Sequence, residues 1–210
     1  QPVVLKVLRE NFLNPEELAR YQREYDITHG LSLTSIVKVY ALEKYQNTLV
    51  MVLEDFGGES LKQYLTKRHF TLPDFLSIAI QIVENLAQVH AANIIHKDLN
   101  PTNIIFNPTT WQLKITDFGI ATRLPRENPT FKNPERLEGT LAYMSPEQTG
   151  RMNRAMDYRT DLYALGVTFY ELLTLHLPFE TEDTMELVHC HLAKQPVSPQ
   201  RLNASIPEII

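Results

Sequence analysis

Three oxygen-bearing side chains stand on two short loops near the middle of the chain, Asp98 and Asn103 on the first and Asp117 on the second. Asp98 and Asn103 lie five residues apart, and Asp117 follows fourteen residues after Asn103. Between the loops run two apolar segments, Ile104-Ile105-Phe106 and Leu113-Lys114-Ile115, with a turn at Asn107-Pro108. This pattern predicts a small hairpin carrying a functional residue at each end. Closing it brings Asn103 beside Asp117, and an amide oxygen with a carboxylate is a hard, oxygen-only ligand pair. Such a pair suits Mg²⁺ better than Zn²⁺, because Mg²⁺ keeps several waters and takes further oxygens from phosphates. Asp98 is then left to orient a nucleophile. Taken singly, the Asp, Asn and Gly residues of these loops could be turn formers, present for backbone conformation alone.

Several elements must position those loops. Residues 74–92 read as an amphipathic helix, with Phe75, Ile78, Ala79, Ile82, Leu86 and Val89 at helical spacing and a capping box between Thr71 and Asp74. This helix delivers the chain to His96, read as a histidine that braces the loop. Residues 157–173 form a second helix, apolar nearly all round and therefore buried. Nearer the start, Val3–Leu8 is a β-type run carrying Lys6, by pattern a solvent-facing residue. Asn14-Pro15-Glu16-Glu17 opens a helix to about Thr28, with Asn14 as cap and Glu17 closing a capping box. Strands over 36–42 and 48–54 follow, then a flexible Gly57-Gly58 turn. Residues 120–147 are a long polar segment, of the kind that is either functional or disordered. A last amphipathic helix covers 184–193; its His189-Cys190-His191 run is not a metal site, since adjacent helix positions do not face one another.

The bulk composition excludes several classes. A chain of 210 residues with 43% hydrophobic content can bury a sizeable core as one domain or a two-lobed one. The formal charge of −5 offers no basic field for nucleic acid. No run approaches the ~18 apolar residues of a membrane span, and the cluster Lys67-Arg68-His69 reads as a solvated helix end. The single cysteine, Cys190, allows no internal disulfide and fits a reducing, cytoplasmic compartment.

His96-Lys97-Asp98-Leu99-Asn100-Pro101-Thr102-Asn103 resembles the H-R-D-L-K-P-x-N catalytic loop of protein kinases, and Asp117-Phe118-Gly119 their D-F-G. Ser145-Pro146-Glu147 is similar to A-P-E, and Asp161 with Tyr163 to the D-x-W-S-x-G motif. The resemblance covers essentially the whole chain and implies an α+β, bilobal fold. Residues 1–56 would be a partial β-rich lobe running from the lysine strand to the hinge, and 57–210 a mainly helical lobe. It implies an ATP-dependent transfer of phosphate to serine or threonine hydroxyls of a protein substrate, with ATP and Mg²⁺. Asp98, Asn100 and Thr140 would be catalytic. Asn103 and Asp117 would hold Mg²⁺. Lys6, Glu24, the backbone of Glu54 and Phe56, and Ile105 would bind ATP, with Leu53 as gatekeeper and Glu17 as the alternative partner of Lys6. Asp161 would cap the backbone of the catalytic loop, and Thr130 is a candidate phosphorylation site.

Finer texture, at Tyr45-Gln46-Asn47-Thr48, at Leu53–Leu61 and at Ser145–Arg154, resembles the amino-terminal kinase module of large bacterial hybrid sensors. In those proteins ATPase-like, GAF and histidine kinase domains follow in the same chain. Departures from the family pattern set further expectations. A glycine-rich loop is absent and the final helices are not reached, so the piece is expected to be a fragment, inactive by itself, with Glu147 short of an arginine partner. Asn100 replaces a lysine and cannot supply its positive charge. Lys97 replaces an arginine and would meet a phosphorylated loop as a point charge. Two alternatives to a working kinase follow: a regulatory nucleotide-binding module controlling a downstream histidine kinase, and a small-molecule phosphotransferase. The long segment ending in Ser145-Pro146-Glu147, with Asp161, argues against the second.

Overall fold

The chain was analysed as a computed structural model that describes residues 2–8, 15–123, 139–152 and 155–209. Its first part is β1 (Val3–Val7), α1 (Pro15–Thr28), β2 (Val39–Tyr45) and β3 (Thr48–Glu54). After these come β4 (Glu59–Ser60), α2 (Leu61–Leu65), α3 (Leu72–Ala91), β5 (Ile94–Ile95), β6 (Ile104–Asn107), β7 (Gln112–Ile115) and β8 (Thr122–Arg123). Two 3₁₀ turns, Leu141–Tyr143 and Pro146–Thr149, lead to α4 (Arg159–Thr174), α5 (Thr184–Ala193) and α6 (Pro199–Leu202). Strands and helices are thus segregated: a sheet-rich first part and a mainly helical remainder, an α+β arrangement.

The smaller part is an antiparallel sheet of order β1-β3-β2 with α1 against it. Gln46-Asn47 closes the β2–β3 hairpin, Tyr45 facing Thr48, with Gln46 at φ 52°. Leu8, Val39, Met51 and Leu53 bury one face of this sheet against Tyr21 of α1. The Tyr21 hydroxyl donates to the Lys6 carbonyl and accepts from the Met51 amide at 2.9 Å, locking helix to sheet. Burial raises the Tyr21 pKa, so the hydroxyl stays a donor. The strand expected over 36–42 begins three residues later. Ile36 instead bridges Ile115 and Val37 donates to the Ile115 carbonyl, because Ile36 is wanted in the larger core, where it is almost fully buried. Asn14, the expected cap of α1, lies outside the described residues.

The larger core is organised by α3. The six apolar positions expected on its inner face are its buried ones, and Thr71 and Asp74 form the reciprocal capping box. Against it pack the β6–β7 hairpin and α4, whose buried side chains include Ala164, Leu165, Val167 and Leu172. The helix α4 is less uniformly apolar than its sequence suggests. Leu162 is exposed, while Thr160, Asp161, Thr168 and Glu171 are buried, which assigns its inner face partly to polar work.

Gly57 and Gly58 join the two parts. Gly57 sits at φ 76°, a conformation that favours glycine. A Cβ at Gly58 would lie 2.8 Å from the Ile105 side chain and 2.9 Å from the Phe106 carbonyl oxygen. The backbone oxygen cannot move aside, so Gly58→Ala is expected to lower stability by about 1–3 kcal/mol, the usual cost of overpacking. Urea denaturation of the wild type and the variant checks this; equal midpoints would contradict it.

Candidate active site

Both loops are clamped at each end by short ladders. Residues 96–103 leave β5 and enter β6, while 116–121 leave β7 and enter β8, and β5 pairs with β8 as β6 pairs with β7. The predicted hairpin is therefore present, with Ile104 opposite Ile115 and the Thr116 amide donating to the Asn103 carbonyl at 2.9 Å. Beneath the first loop Asp161 is wholly buried. It accepts the His96 and Lys97 amides at 2.8 and 2.7 Å, and His90 Nε2 lies 2.8 Å from the same carboxylate. Asp161 thus caps the loop backbone, as its motif implied. His90 is a partner that sequence reading missed; only its place in the last turn of α3, beside the loop, hinted at it. His96 is a brace, with Nε2 3.0 Å from the Thr116 carbonyl and its ring 4.7 Å from Phe118.

Asp98, Asn100, Asn103 and Thr140 converge in one network. The Asp98 carboxylate accepts the Thr140 amide at 2.8 Å, the Asn103 amide group at 3.2 Å and the Asn100 amide group at 3.3 Å. Asn100 also reaches the Asp98 carbonyl at 3.0 Å and the Thr140 hydroxyl at 3.3 Å, while its own oxygen accepts the Thr102 amide at 2.9 Å. Both ends of the Asn100 side-chain amide are therefore engaged, within the loop and with Thr140. Asn103 commits its nitrogen to the Asp98 carbonyl at 2.8 Å as well, so its amide oxygen is the atom that could ligate a metal.

Lys6, Glu24 and Asp117 form a second group. Lys6 Nζ lies 2.8 Å from both oxygens of Glu24 and 3.3 Å from Asp117 Oδ1. Glu24 is therefore the partner of Lys6, and Glu17 lies instead beside Arg20 at 3.4 Å. Burial would lower the Lys6 pKa, but the charges of Glu24 and Asp117 overcome it and hold the ammonium above its ordinary value. Burial pushes the Glu24 carboxyl up, against the pull of Lys6. Asp117 is at φ 65° and Lys97 at φ 71°. Left-handed conformations in residues with side chains cost about 1–2 kcal/mol each. Phe118 is buried against His96, and the neighbouring Asp117 carboxylate is partly exposed, 3.3 Å from Lys6. Asp117 offers a partly exposed carboxylate and Asn103 a buried amide oxygen, a donor set whose chemistry fits Mg²⁺. No cluster of three or more His, Cys, Asp or Glu suited to a metal occurs among the described residues, the His189–His191 run included.

At the connection between the parts, the Glu54 amide donates to the Lys38 carbonyl at 2.8 Å and its carboxylate is held by Lys114 at 2.6 Å. The Phe56 carbonyl accepts from Asn107 at 2.6 Å, and the Lys114 ammonium lies 5.2 Å from the Phe56 ring centre. Ile105 and Phe56 pack at the edge of the smaller cluster, and the buried Leu53 belongs to it. These residues line the seam where the two parts meet.

The segment after Thr140 is fastened to α4. The Tyr143 hydroxyl donates to the buried Glu171, which Lys62 of α2 also contacts. Burial and this carboxylate push the Tyr143 phenol far above its ordinary value, so it remains a donor. Glu147 accepts the Thr160 hydroxyl at 2.8 Å, and Gln148 donates to the Lys97 carbonyl at 2.8 Å. Tyr143 and Gln148 stand in segments that carry the resemblance, but the sequence assigned no supporting role to them or to Glu171 and Lys62. Thr130 lies outside the described residues.

Comparison with known proteins bears on the same geometry. The family model described as "Protein kinase domain" matches residues 1–208. Serine/threonine-protein kinase PrkC of Bacillus subtilis is 34% identical over 210 residues, covering 99% of this chain and 32% of that protein. Serine/threonine-protein kinase pkn3 of Myxococcus xanthus is 35% identical over 208 residues, covering 95% of this chain and 38% of that protein. The probable serine/threonine-protein kinase PknB of Lactococcus lactis is 32% identical over 210 residues, 99% of this chain and 33% of that protein. The chain thus spans about a third of the length of these curated relatives. With Asp98 and Asn103 on one loop, Asp117 on the adjoining one and a lysine–glutamate pair beside Asp117, the chain belongs to the protein kinase family.

Proposed function

We propose that this chain is the ATP-dependent catalytic domain of a protein serine/threonine kinase, with residues 1–56 and 57–210 as its two lobes. The observation that carries this is a pair of groups on adjoining loops, Lys6 with Glu24 and Asp117, and Asp98 with Asn103 and Thr140, the loops joined where the Thr116 amide donates to the Asn103 carbonyl. In the first, Lys6, fixed by Glu24, meets the α- and β-phosphates of ATP. In the second, Asp98 orients a serine or threonine hydroxyl and takes its proton as the oxygen attacks the γ-phosphorus and ADP departs. Thr140 and Asn100 donate to one oxygen of the Asp98 carboxylate and Asn103 to the other, so Asn100 serves as a positioning residue where a lysine would supply charge. Asn103 and Asp117 would hold Mg²⁺, which when bound neutralises charge on the phosphate oxygens. The backbone of Glu54 and Phe56 meets the adenine edge, over Ile105. The intact Asp98, Asn103 and Asp117 favour turnover over a purely regulatory role.

In the whole protein this domain would act in bacterial signalling, on protein substrates in the cytoplasm. The segments at 45–48, 53–61 and 145–154 support a hybrid sensor in which ATPase-like, GAF and histidine kinase domains follow. The nucleotide half of the site is tested with Lys6→Met in the full-length protein, measured by γ-phosphate transfer to a serine/threonine peptide. Removing a charge aimed at the phosphates is expected to lower kcat/KM by about 10²–10³. A variant as active as the wild type would remove Lys6 from the site.

A further inference from the structure

Lys6 is held at both of its ends by α1. Its ammonium meets Glu24, with Nζ 2.8 Å from both carboxylate oxygens, and its backbone carbonyl accepts the Tyr21 hydroxyl. Tyr21 and Glu24 lie three residues apart on the buried face of the helix, so one helical turn supplies both grips. The Tyr21 hydroxyl also accepts the Met51 amide at 2.9 Å. Met51 is fully buried and stands opposite Lys6 in the β1–β3 register. The phenol therefore bridges two strands at the very residue that carries the ammonium.

The ion pair does not fix this geometry by itself. Burial works against both of its charges, downward on the Lys6 pKa and upward on the Glu24 pKa. A second carboxylate competes as well. Asp117 Oδ1 lies 3.3 Å from the same Nζ, and the Lys6 side chain keeps 33% of its surface exposed. An ammonium on a flexible stem between two carboxylates can settle on either. What singles out Glu24 is the anchoring of its backbone. The Tyr21 ring packs with Leu8, Val39, Met51 and Leu53, and its hydroxyl sets the height of α1 over the sheet. Toward the other end of the helix, Ile27 enters the larger core instead, and Arg123 reaches its carbonyl at 3.4 Å. The two halves of α1 thus answer to different parts of the molecule, and Tyr21 ties the first half to the strand of Lys6.

We infer that Tyr21 is a positioning residue for phosphate transfer: its hydroxyl fixes α1 to the strand of Lys6, so that Glu24 holds the ammonium and aims it at the phosphates. The inference rests on the kinase reading and adds a residue to its site. Tyr21 acts through the backbone of Lys6 and the placement of Glu24, away from the reacting atoms.

Tyr21→Phe tests this in the full-length protein, because it keeps the ring and removes the bridge. γ-Phosphate transfer from ATP to a serine/threonine peptide is measured for four proteins: wild type, Tyr21→Phe, Glu24→Gln and the double variant. Tyr21→Phe is expected to lower kcat/KM for ATP about tenfold, the worth of one buried hydrogen bond, and to leave KM for the peptide unchanged. Beside Glu24→Gln, where the carboxylate it positions is gone, the same change should alter kcat/KM by about twofold or less. Thermal unfolding of all four proteins separates the alternatives, since a tyrosine that serves stability alone lowers activity to the same degree in both backgrounds. Transfer by Tyr21→Phe as fast as wild type, or a loss that persists in full beside Glu24→Gln, would overturn the inference and leave the kinase reading standing. Wild type that transfers no phosphate would overturn the kinase reading itself, and this role with it.

Discussion

Asp98→Asn is expected to lower phosphate transfer by about 10²–10⁴, the range contributed by a positioned general base. The substitution keeps the shape of the side chain. An asparagine oxygen can still accept the Thr140 and Asn100 donors that Oδ1 accepts, while its amide nitrogen forgoes the Asn103 bond at the other oxygen, Asn103 keeping its bond to the backbone carbonyl of residue 98. What it removes is the carboxylate proposed to take the proton of the attacking hydroxyl. The effect should therefore fall on kcat, with ATP affinity nearly unchanged, because Lys6, Glu24 and Asp117 form a separate group. Single-turnover transfer alongside ATP titration by calorimetry separates the two. A matched loss of ATP binding would show that Asp98 acts on the nucleotide instead.

Asp161→Ala should produce the largest loss of stability. The Asp161 side chain is fully buried and accepts the amides of His96 and Lys97, with His90 at 2.8 Å. Truncation strands two buried backbone donors and an imidazole. Buried donors left unpaired cost ~1–3 kcal/mol each, so a total of about 3–5 kcal/mol is expected. For a domain of this size that lowers the melting temperature by about 10 °C. Because the stranded amides belong to the loop that places Asp98, transfer should also fall at temperatures where the variant is still folded. Thermal unfolding followed by circular dichroism, with activity measured well below the transition, checks both parts. A melting temperature within a degree or two of wild type would contradict the account.

What the sequence revealed depended on how local each signal was. The β6–β7 hairpin and α3 were legible because their periods and turn residues lie within twenty residues, and α3 buries the same six apolar positions that its spacing implied. Ile36 was expected to open a strand, yet Ile115 and the larger core take it, a tertiary demand that overrides local propensity. The lysine in β1 carried no pattern signal. Only resemblance linked Lys6 to Glu24, and the geometry bears out that choice over Glu17. The supports of the site were the least visible. Gln148 reaches Lys97 across 51 residues, His90 reaches Asp161 across 71, and Lys62 reaches Glu171 across 109. A long polar side chain with such a partner looks, in sequence, like any solvated residue. Asn100 shows the same limit from another side. Its departure from lysine suggested lost charge, whereas the fold uses both ends of its amide to bind Asp98, Thr140 and Thr102.

The central claim is turnover, as distinct from nucleotide binding alone. It is tested by measuring, in one preparation of the full-length protein, ATP·Mg²⁺ affinity and transfer of labelled γ-phosphate to serine or threonine. The account predicts saturable ATP binding and labelled phosphoserine or phosphothreonine. Tight ATP binding with no labelled product, under conditions where the protein is folded, would contradict it.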